Sequence, residues 1–159
     1  MNSLPQETKV VVIGGGIAGC STAYHLAKGG WDTILIERDV LTSGTTWHAA
    51  GMITQLGNTP QITKIRKNSV KFYKDLKDIT GEDTSFRHTG TINIATSKPR
   101  YQEYLRQLTT SKLFDLDIEL INKKKFKDLY PIAKNKDVLG GLYIPEDGQA
   151  DPEVLTKII

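Results

Sequence analysis
An α/β fold that opens on a parallel strand, helix and strand is predicted by three observations near the start of the chain. The run Val10-Val11-Val12-Ile13 is continuous, apolar and β-branched, which suits a strand buried on both faces. It leads directly into Gly14-x-Gly16-x-x-Gly19, after which a helix is expected over 20–30. A second apolar run, Thr33-Ile34-Leu35-Ile36, then ends on an acid, Glu37.

The glycines have separate tasks in such a unit. Gly14 permits the tight turn, Gly16 lets a phosphate approach the backbone, and Gly19 lets helix and strand pack closely. Backbone N–H groups at the helix N-terminus then face the position of a pyrophosphate. Glu37 lies 23 positions beyond Gly14, where a carboxylate accepts hydrogen bonds from adenosine ribose hydroxyls. An acid there disfavours a phosphorylated ribose, and with it NADP. The turn does not separate NAD from FAD, because both carry the same adenosine diphosphate half.

The periodicity then changes. Over 60–80, Ile62, Ile65, Ser69, Phe72, Tyr73, Leu76 and Ile79 recur at helical spacing, and Gly81 supplies a stop. Residues 90–96 alternate like a half-buried strand, with Ile92 and Ile94 on one face. A helix follows from about Lys98, its face given by Tyr101, Leu105, Leu108 and Lys112 or Leu113. Short strands are expected at 118–121 and 142–144, separated by a small helix over 124–129 that Pro131 ends. Strands alternating with turns here imply antiparallel sheet. Asp151-Pro152-Glu153 reads as a cap, a proline at the first helical position and an acid in the first turn. The expected organisation is a nucleotide domain over 1–86, an inserted antiparallel layer over 87–145, and a return to the first domain over 146–159. One strand, helix and strand is too little parallel sheet to cover both faces, so the chain is expected to be the N-terminal piece of a longer protein.

Composition limits the function classes. The chain has 159 residues, 38% hydrophobic and 25% charged, as in ordinary globular proteins. A net charge of +3 from scattered lysines is too small and diffuse to imply a nucleic-acid partner. The one dense cationic run, Lys123-Lys124-Lys125, reads as a solvated helix start. A lone cysteine, Cys20, forms no disulfide within the chain and suits a small buried position. No secretory signal, Arg-rich transit peptide or apolar span long enough to cross a bilayer is visible, and no membrane partner is expected. A cytoplasmic location is expected, or the mitochondrial matrix for a processed eukaryotic homologue.

Three stretches together carry a resemblance: residues 11–19, Ile36-Glu37-Arg38, and Leu41-Thr42-Ser43-Gly44-Thr45-Thr46-Trp47-His48-Ala49-Ala50-Gly51. With residues 90–95 and 141–152, they resemble the dimethylglycine and sarcosine dehydrogenases of the FAD-dependent, D-amino-acid-oxidase-like superfamily. The resemblance implies a Rossmann-like FAD-binding domain of glutathione-reductase type with an inserted antiparallel-sheet layer, incomplete in this chain. It implies cofactor contacts from Gly14, Gly16, Ile17, Ala18, Gly19, Glu37, Arg38, Ser43, Gly44, Thr45, Thr46, Trp47, His48, Ala49, Ala50, Gly51 and Met52. In that family the histidine matching His48 carries the flavin through a covalent bond to the methyl group of its benzenoid ring. A neutral imidazole is a competent nucleophile near pH 7, whereas an ordinary lysine is protonated there. Ala49, Ala50 and Gly51 leave room for a flat ring, and the hydroxyls of Ser43, Thr45 and Thr46 can bond to phosphate or ribitol oxygens. Taken alone, His48 reads more simply as a loop histidine bonded to the backbone; the resemblance gives it the cofactor role. His25 and His88 lack the partners of a metal site and are read as structural.

By the same resemblance, the reaction is oxidative demethylation of a small N-methyl amino acid, dimethylglycine or sarcosine in type. A hydride equivalent passes to the flavin, and the iminium left behind yields formaldehyde or is captured by tetrahydrofolate in a folate domain further along. An electron-transferring flavoprotein is the implied acceptor. Catalytic residues are not assignable within these residues. Alternatives left open are an amino-acid or amine oxidase using oxygen, a non-catalytic regulatory subunit that keeps the flavin fold, and an NAD-dependent dehydrogenase.

Overall fold
The computed structural model describes residues 5–159. In chain order the elements are β1 (Val10–Ile13), α1 (Ile17–Lys28), β2 (Thr33–Ile36), β3 (Met52–Ile53), α2 (Pro60–Thr80), β4 (Thr91–Ala95), α3 (Lys98–Ser111), β5 (Glu119–Asn122), α4 (Lys123–Leu129), β6 (Gly140–Ile144), β7 (Gly148–Gln149) and α5 (Pro152–Ile158). They fall into two compact units, one drawn from Met1–Met52, Asp75–Phe86 and Ala150–Ile159, the other from Ile53–Lys74 and Arg87–Gln149.

In the first unit β1 and β2 pair in parallel, Val10 opposite Thr33 and Ile13 opposite Ile36. α1 crosses between them, the connection a parallel pair requires. The helix begins at Ile17, earlier than the periodicity suggests, because Gly16 takes the N-cap position with extended backbone. Cys20 is buried on it, and burial pushes its thiol pKa up. α5 packs against α1 and against the 3-10 turn Thr46–His48. Its start follows the sequence: Asp151 Oδ1 accepts from the amides of Glu153 at 2.8 Å and Val154 at 3.1 Å, with Pro152 in the first turn.

The second unit is built on an antiparallel sheet in the order β4-β6-β5. Leu142 in the central strand lies opposite both Asn93 and Leu120. Both faces of this sheet are covered. Ala95, Tyr104 and Leu142 form one cluster with Tyr101 and Leu108 of α3; Ile121, Phe126 and Val138 form another with Ile92 and Tyr143. Two glycines let the strands close up, since a Cβ on Gly141 would stand 2.5 Å from Asn93 O and one on Gly140 2.7 Å from Ile121 O.

The two long helices keep much of the faces their apolar residues mark out, with Leu76 buried and Ser69, Phe72 and Tyr73 half-buried on α2 and Tyr101, Leu105 and Leu108 half-buried on α3, but other residues join them. Along α2 the buried positions are Thr63, Val70 and Leu76, while Ile62, Ile65 and Ile79 are exposed. Lys67 lies on the covered side, and its ammonium donates to the carbonyls of Phe114 at 2.5 Å and Asp115 at 3.1 Å, where the turn after α3 ends. On α3 the buried residues are Tyr104 and Ser111, and Leu113 is exposed beyond the helix end. In β4 the fully buried residue is Ala95, with Ile94 exposed. The Lys123-Lys124-Lys125 run starts α4, where Asn122 Oδ1 accepts from Lys125 N at 2.9 Å.

Candidate functional site
The glycine turn is held in register by Gly14 N, which donates to Ile36 O at 2.8 Å, so the loop leaves both strands at one level. Gly14 has φ +108°, a conformation that excludes ordinary side chains. A Cβ on Gly19 would lie 1.8 Å from Gly14 O, so only glycine allows the helix to sit this close to the strand end. The amides of the first helical turn have no intrahelical acceptor. That of Ile17 is taken by Thr46 Oγ1 at 3.0 Å, and a Cβ on Gly16 would come within 2.9 Å of the same oxygen. The end of α1 is therefore faced by a buried hydroxyl, and its remaining first-turn amides suit an anionic group on the exposed side.

Glu37 is half-buried at the end of β2. Its carboxylate accepts from Gly15 N at 2.6 Å and Asp39 N at 3.1 Å, and these backbone donors, Gly15 first, hold its pKa below the usual carboxylate value. Two of about four acceptor positions are thus used, leaving others for hydroxyl donors.

The structure brings in three residues that the spacing argument overlooks. Gly15 donates to Glu37, and its carbonyl accepts from Thr42 N at 2.9 Å; a Cβ on it would meet Leu41 Cδ2 at 2.5 Å. Thr42 is buried with φ +74°, a strained conformation for a β-branched residue. The triple glycine at 14–16 is the sequence signal for Gly15; Leu41 and Thr42 open the stretch 41–51 that carries the resemblance but have no spacing signal of their own.

Beyond Thr42 the chain turns at Ser43, whose N donates to Val40 O at 3.2 Å. Ser43, Gly44, Thr45 and Arg38 are exposed. A single 3-10 turn, Thr46–His48, follows, with His48 N donating to Thr45 O at 3.2 Å and Ala49 N to Thr46 O at 3.1 Å. Thr46 points inward, whereas Trp47, His48, Ala49, Ala50 and Met52 are exposed. Gly51 has φ +74° and is tied to Ala150 through Ala150 N and Gly51 O at 3.0 Å. Ile17 and Gly19 are half-buried, and Ala18 is exposed on the first turn. His25 is exposed on α1 with an edge-on contact to Tyr24. Among the described residues no group of three or more His, Cys, Asp or Glu could hold a metal ion, and no helix is long and apolar enough to cross a membrane.

A strand, a glycine turn leading into a helix, and an acid closing the next strand define a nucleotide-binding α/β fold. The comparisons with known proteins narrow this. Residues 9–158 match the family described as FAD dependent oxidoreductase. The chain is 40% identical over 154 residues to the mitochondrial dimethylglycine dehydrogenase of Homo sapiens, covering 96% of this chain and 18% of that protein. It is 39% identical over 150 residues to the formaldehyde-forming 4-methylaminobutanoate oxidase of Paenarthrobacter nicotinovorans, covering 94% and 18%. It is also 35% identical over 146 residues to the mitochondrial pyruvate dehydrogenase phosphatase regulatory subunit of Mus musculus, covering 91% and 17%. Among solved structures, L-proline dehydrogenase from P. horikoshii superimposes with a TM-score of 0.91 at 29% identity, covering 98% of this chain and 41% of that one. The chain belongs to the FAD-dependent oxidoreductase family and has its α/β FAD-binding fold. It spans less than a fifth of the length of these three relatives.

Proposed function
We propose that this chain supplies the FAD-binding part of an enzyme that oxidatively demethylates a small N-methyl amino acid, with the flavin linked to His48. When bound, the flavin provides the two-electron acceptor for a hydride from the substrate's N-methyl carbon. The chain's own residues do the holding. Gly16 and the first-turn amides at Ala18 and Gly19 receive the diphosphate. Thr46 accepts from Ile17 N, and a hydroxyl that accepts can donate at the same time, here to a phosphate oxygen. Glu37 keeps lone pairs for the ribose hydroxyls, and Arg38, Ser43, Gly44, Thr45, Ala49, Ala50, Gly51 and Met52 border the remainder of the cofactor. Residues 1–86 and 146–159 are read as cofactor domain and 87–145 as the start of the substrate domain.

The observation that carries the reading is the exposed His48 next to Thr46, whose side chain is fixed to the end of α1. Transfer of electrons to an electron-transferring flavoprotein, capture of the one-carbon unit by tetrahydrofolate, and a mitochondrial matrix or cytoplasmic location belong to the same proposal. A second reading, a regulatory subunit on the same fold, is favoured by the likeness to the mouse subunit.

Acid precipitation of the full-length holoprotein tests the linkage. Yellow colour stays in the pellet of the wild type and moves to the supernatant for His48→Ala. Covalent flavin in His48→Ala, or released flavin in the wild type, overturns the attachment. Dimethylglycine and sarcosine, offered first with a dye acceptor and then with oxygen alone, separate dehydrogenase from oxidase. A yellow protein that oxidises neither supports the regulatory reading.

A further inference from the structure
One edge of the second unit keeps apolar side chains in solvent although its backbone is firmly tied. Residues 130–139 link α4 to β6 and pack inward through Val138, which is buried with Ile121 and Phe126. Ala133 N donates to Tyr130 O and Val138 N to Asn135 O, each at 3.2 Å, and Leu139 N donates to Ala95 O at 2.8 Å. Two lysines of α4 hold the same segment. The Lys123 ammonium donates to Lys136 O at 2.8 Å, and that of Lys127 donates to Pro131 O and, at 3.2 Å, to Ala133 O. Ile132 stands between those last two carbonyls and is 82% exposed, with Leu129, Tyr130 and Leu139 exposed on either side of it in the chain. Apolar side chains kept in water on an ordered loop, with charged groups beside them, mark a surface that another body covers.

The same lobe holds the chain's excess charge. Lys123, Lys124, Lys125, Lys127, Lys134 and Lys136 fall within 122–137, with no arginine among them. Lys125 pairs with Glu119, and the other five stand against Asp128 and Asp137 alone, an excess equal to the +3 of the whole chain. Lysine is depleted in protein–protein interfaces, where arginine is enriched, and arginine supplies the planar fork that fits a fixed phosphate or carboxylate. A flexible, strongly hydrated ammonium suits a fluid array of anionic headgroups, which offers charge without fixed geometry. Aliphatic side chains gain little against a nucleic-acid backbone, whereas they gain by leaving water at the edge of an acyl layer.

We infer that the lobe formed by α4 and residues 130–139 docks on an anionic lipid surface, with Ile132 entering the boundary between headgroups and acyl chains and the lysines beside it in the headgroup layer. Such a contact needs no spanning segment and is reversible, each lysine strengthening it by roughly 5-fold. It is independent of the reaction proposed for the flavin.

The test sediments full-length holoprotein with vesicles of phosphatidylcholine alone and of phosphatidylcholine mixed equally with phosphatidylglycerol, at low and high salt. The wild type binds the mixed vesicles at low salt and is mostly released by high salt, while far less of it binds the neutral vesicles. Replacing Lys134→Gln and Lys136→Gln together weakens partitioning by roughly 25-fold, and Ile132→Ser weakens it by roughly 10- to 100-fold. Flavin content and thermal midpoint stay at the wild-type values in both. A wild type that ignores the mixed vesicles, or binding that either variant retains in full, overturns the inference. So does a large fall in the thermal midpoint of Ile132→Ser, which would place that side chain beneath another part of the longer protein. Retention of the wild type, but not of the lysine variant, by soluble polyglutamate without any binding to vesicles overturns the lipid assignment in favour of an acidic protein.

Discussion
The two units of the chain are organised on opposite terms. In the second, a three-stranded antiparallel sheet is covered on both faces, and Ile121, Leu142 and Ile144 have at most 1% of their surface exposed. In the first, the parallel pair β1 and β2 leaves Val11, Ile13 and Ile36 exposed, and the well-defined contacts are those of glycines, a carboxylate and a hydroxyl. One unit owes its shape to apolar burial, the other to backbone geometry around a turn. The difference shows where substitution is tolerated. The first unit is sensitive at positions that carry no side chain, the second at positions that carry a large one.

Truncating matched side chains gives the largest contrast. Leu142→Ala is expected to cost about 2–5 kcal/mol, whereas in this 159-residue chain by itself Ile13→Ala, at 84% exposure, should change stability by less than about 0.5 kcal/mol. Urea midpoints of the two variants measure this, and equal losses would erase the distinction. Next in size is the cap of α5. Asp151→Ala removes two hydrogen bonds to first-turn amides and should cost about 1 kcal/mol, with Asp151→Asn recovering most of it in thermal denaturation.

The smallest and most diagnostic effect is the response to pH of one carboxyl in each unit. Asp147 is fully buried, accepting from Gln55 N at 2.8 Å and Thr91 Oγ1 at 2.5 Å, and desolvation raises its pKa despite those donors. Between its unfolded value near 3.8 and its raised folded value, the native state binds more protons than the unfolded one. Stability relative to Asp147→Asn is therefore gained as pH falls through that window and lost as it rises. Glu37 has a lowered pKa, so its contribution relative to Glu37→Gln is present above about 4.5 and lost as pH falls through its folded value. Denaturation of the two variants against the wild type across pH 3–7 should give slopes of opposite sign; slopes of the same sign would contradict the two environments.

Much of this division was legible in the sequence because its signals are local. Gly14, Gly19 and Glu37 act through residues that are near neighbours once strand and helix are recognised, and Asp151-Pro152 caps the segment it begins. The misses arise where a distant residue decides. The start of α1 is completed by Thr46 from 29 positions away, which no helix pattern records. The covered face of α2 keeps Leu76, Phe72 and Tyr73 but also takes in Thr63 and Lys67, whose ammonium finds carbonyls at 114 and 115, which a count of apolar residues does not register. Two-residue strands such as β3 and β7 are too short for any period to register. At the site, the stretch 41–51 stood out through its resemblance, while nothing in the sequence marks the left-handed backbone of Thr42 within it.

Cys20 turns these features into a practical instrument. It is the only thiol in the sequence, it is 8% exposed, and its amide donates to Gly16 O at 2.9 Å, one turn inside α1. An alkylating reagent can reach the sulfur only after the adjoining segment has opened. The pace of that labelling is therefore an intrinsic clock for breathing at the glycine turn and the start of α1, readable by mass spectrometry without adding a probe.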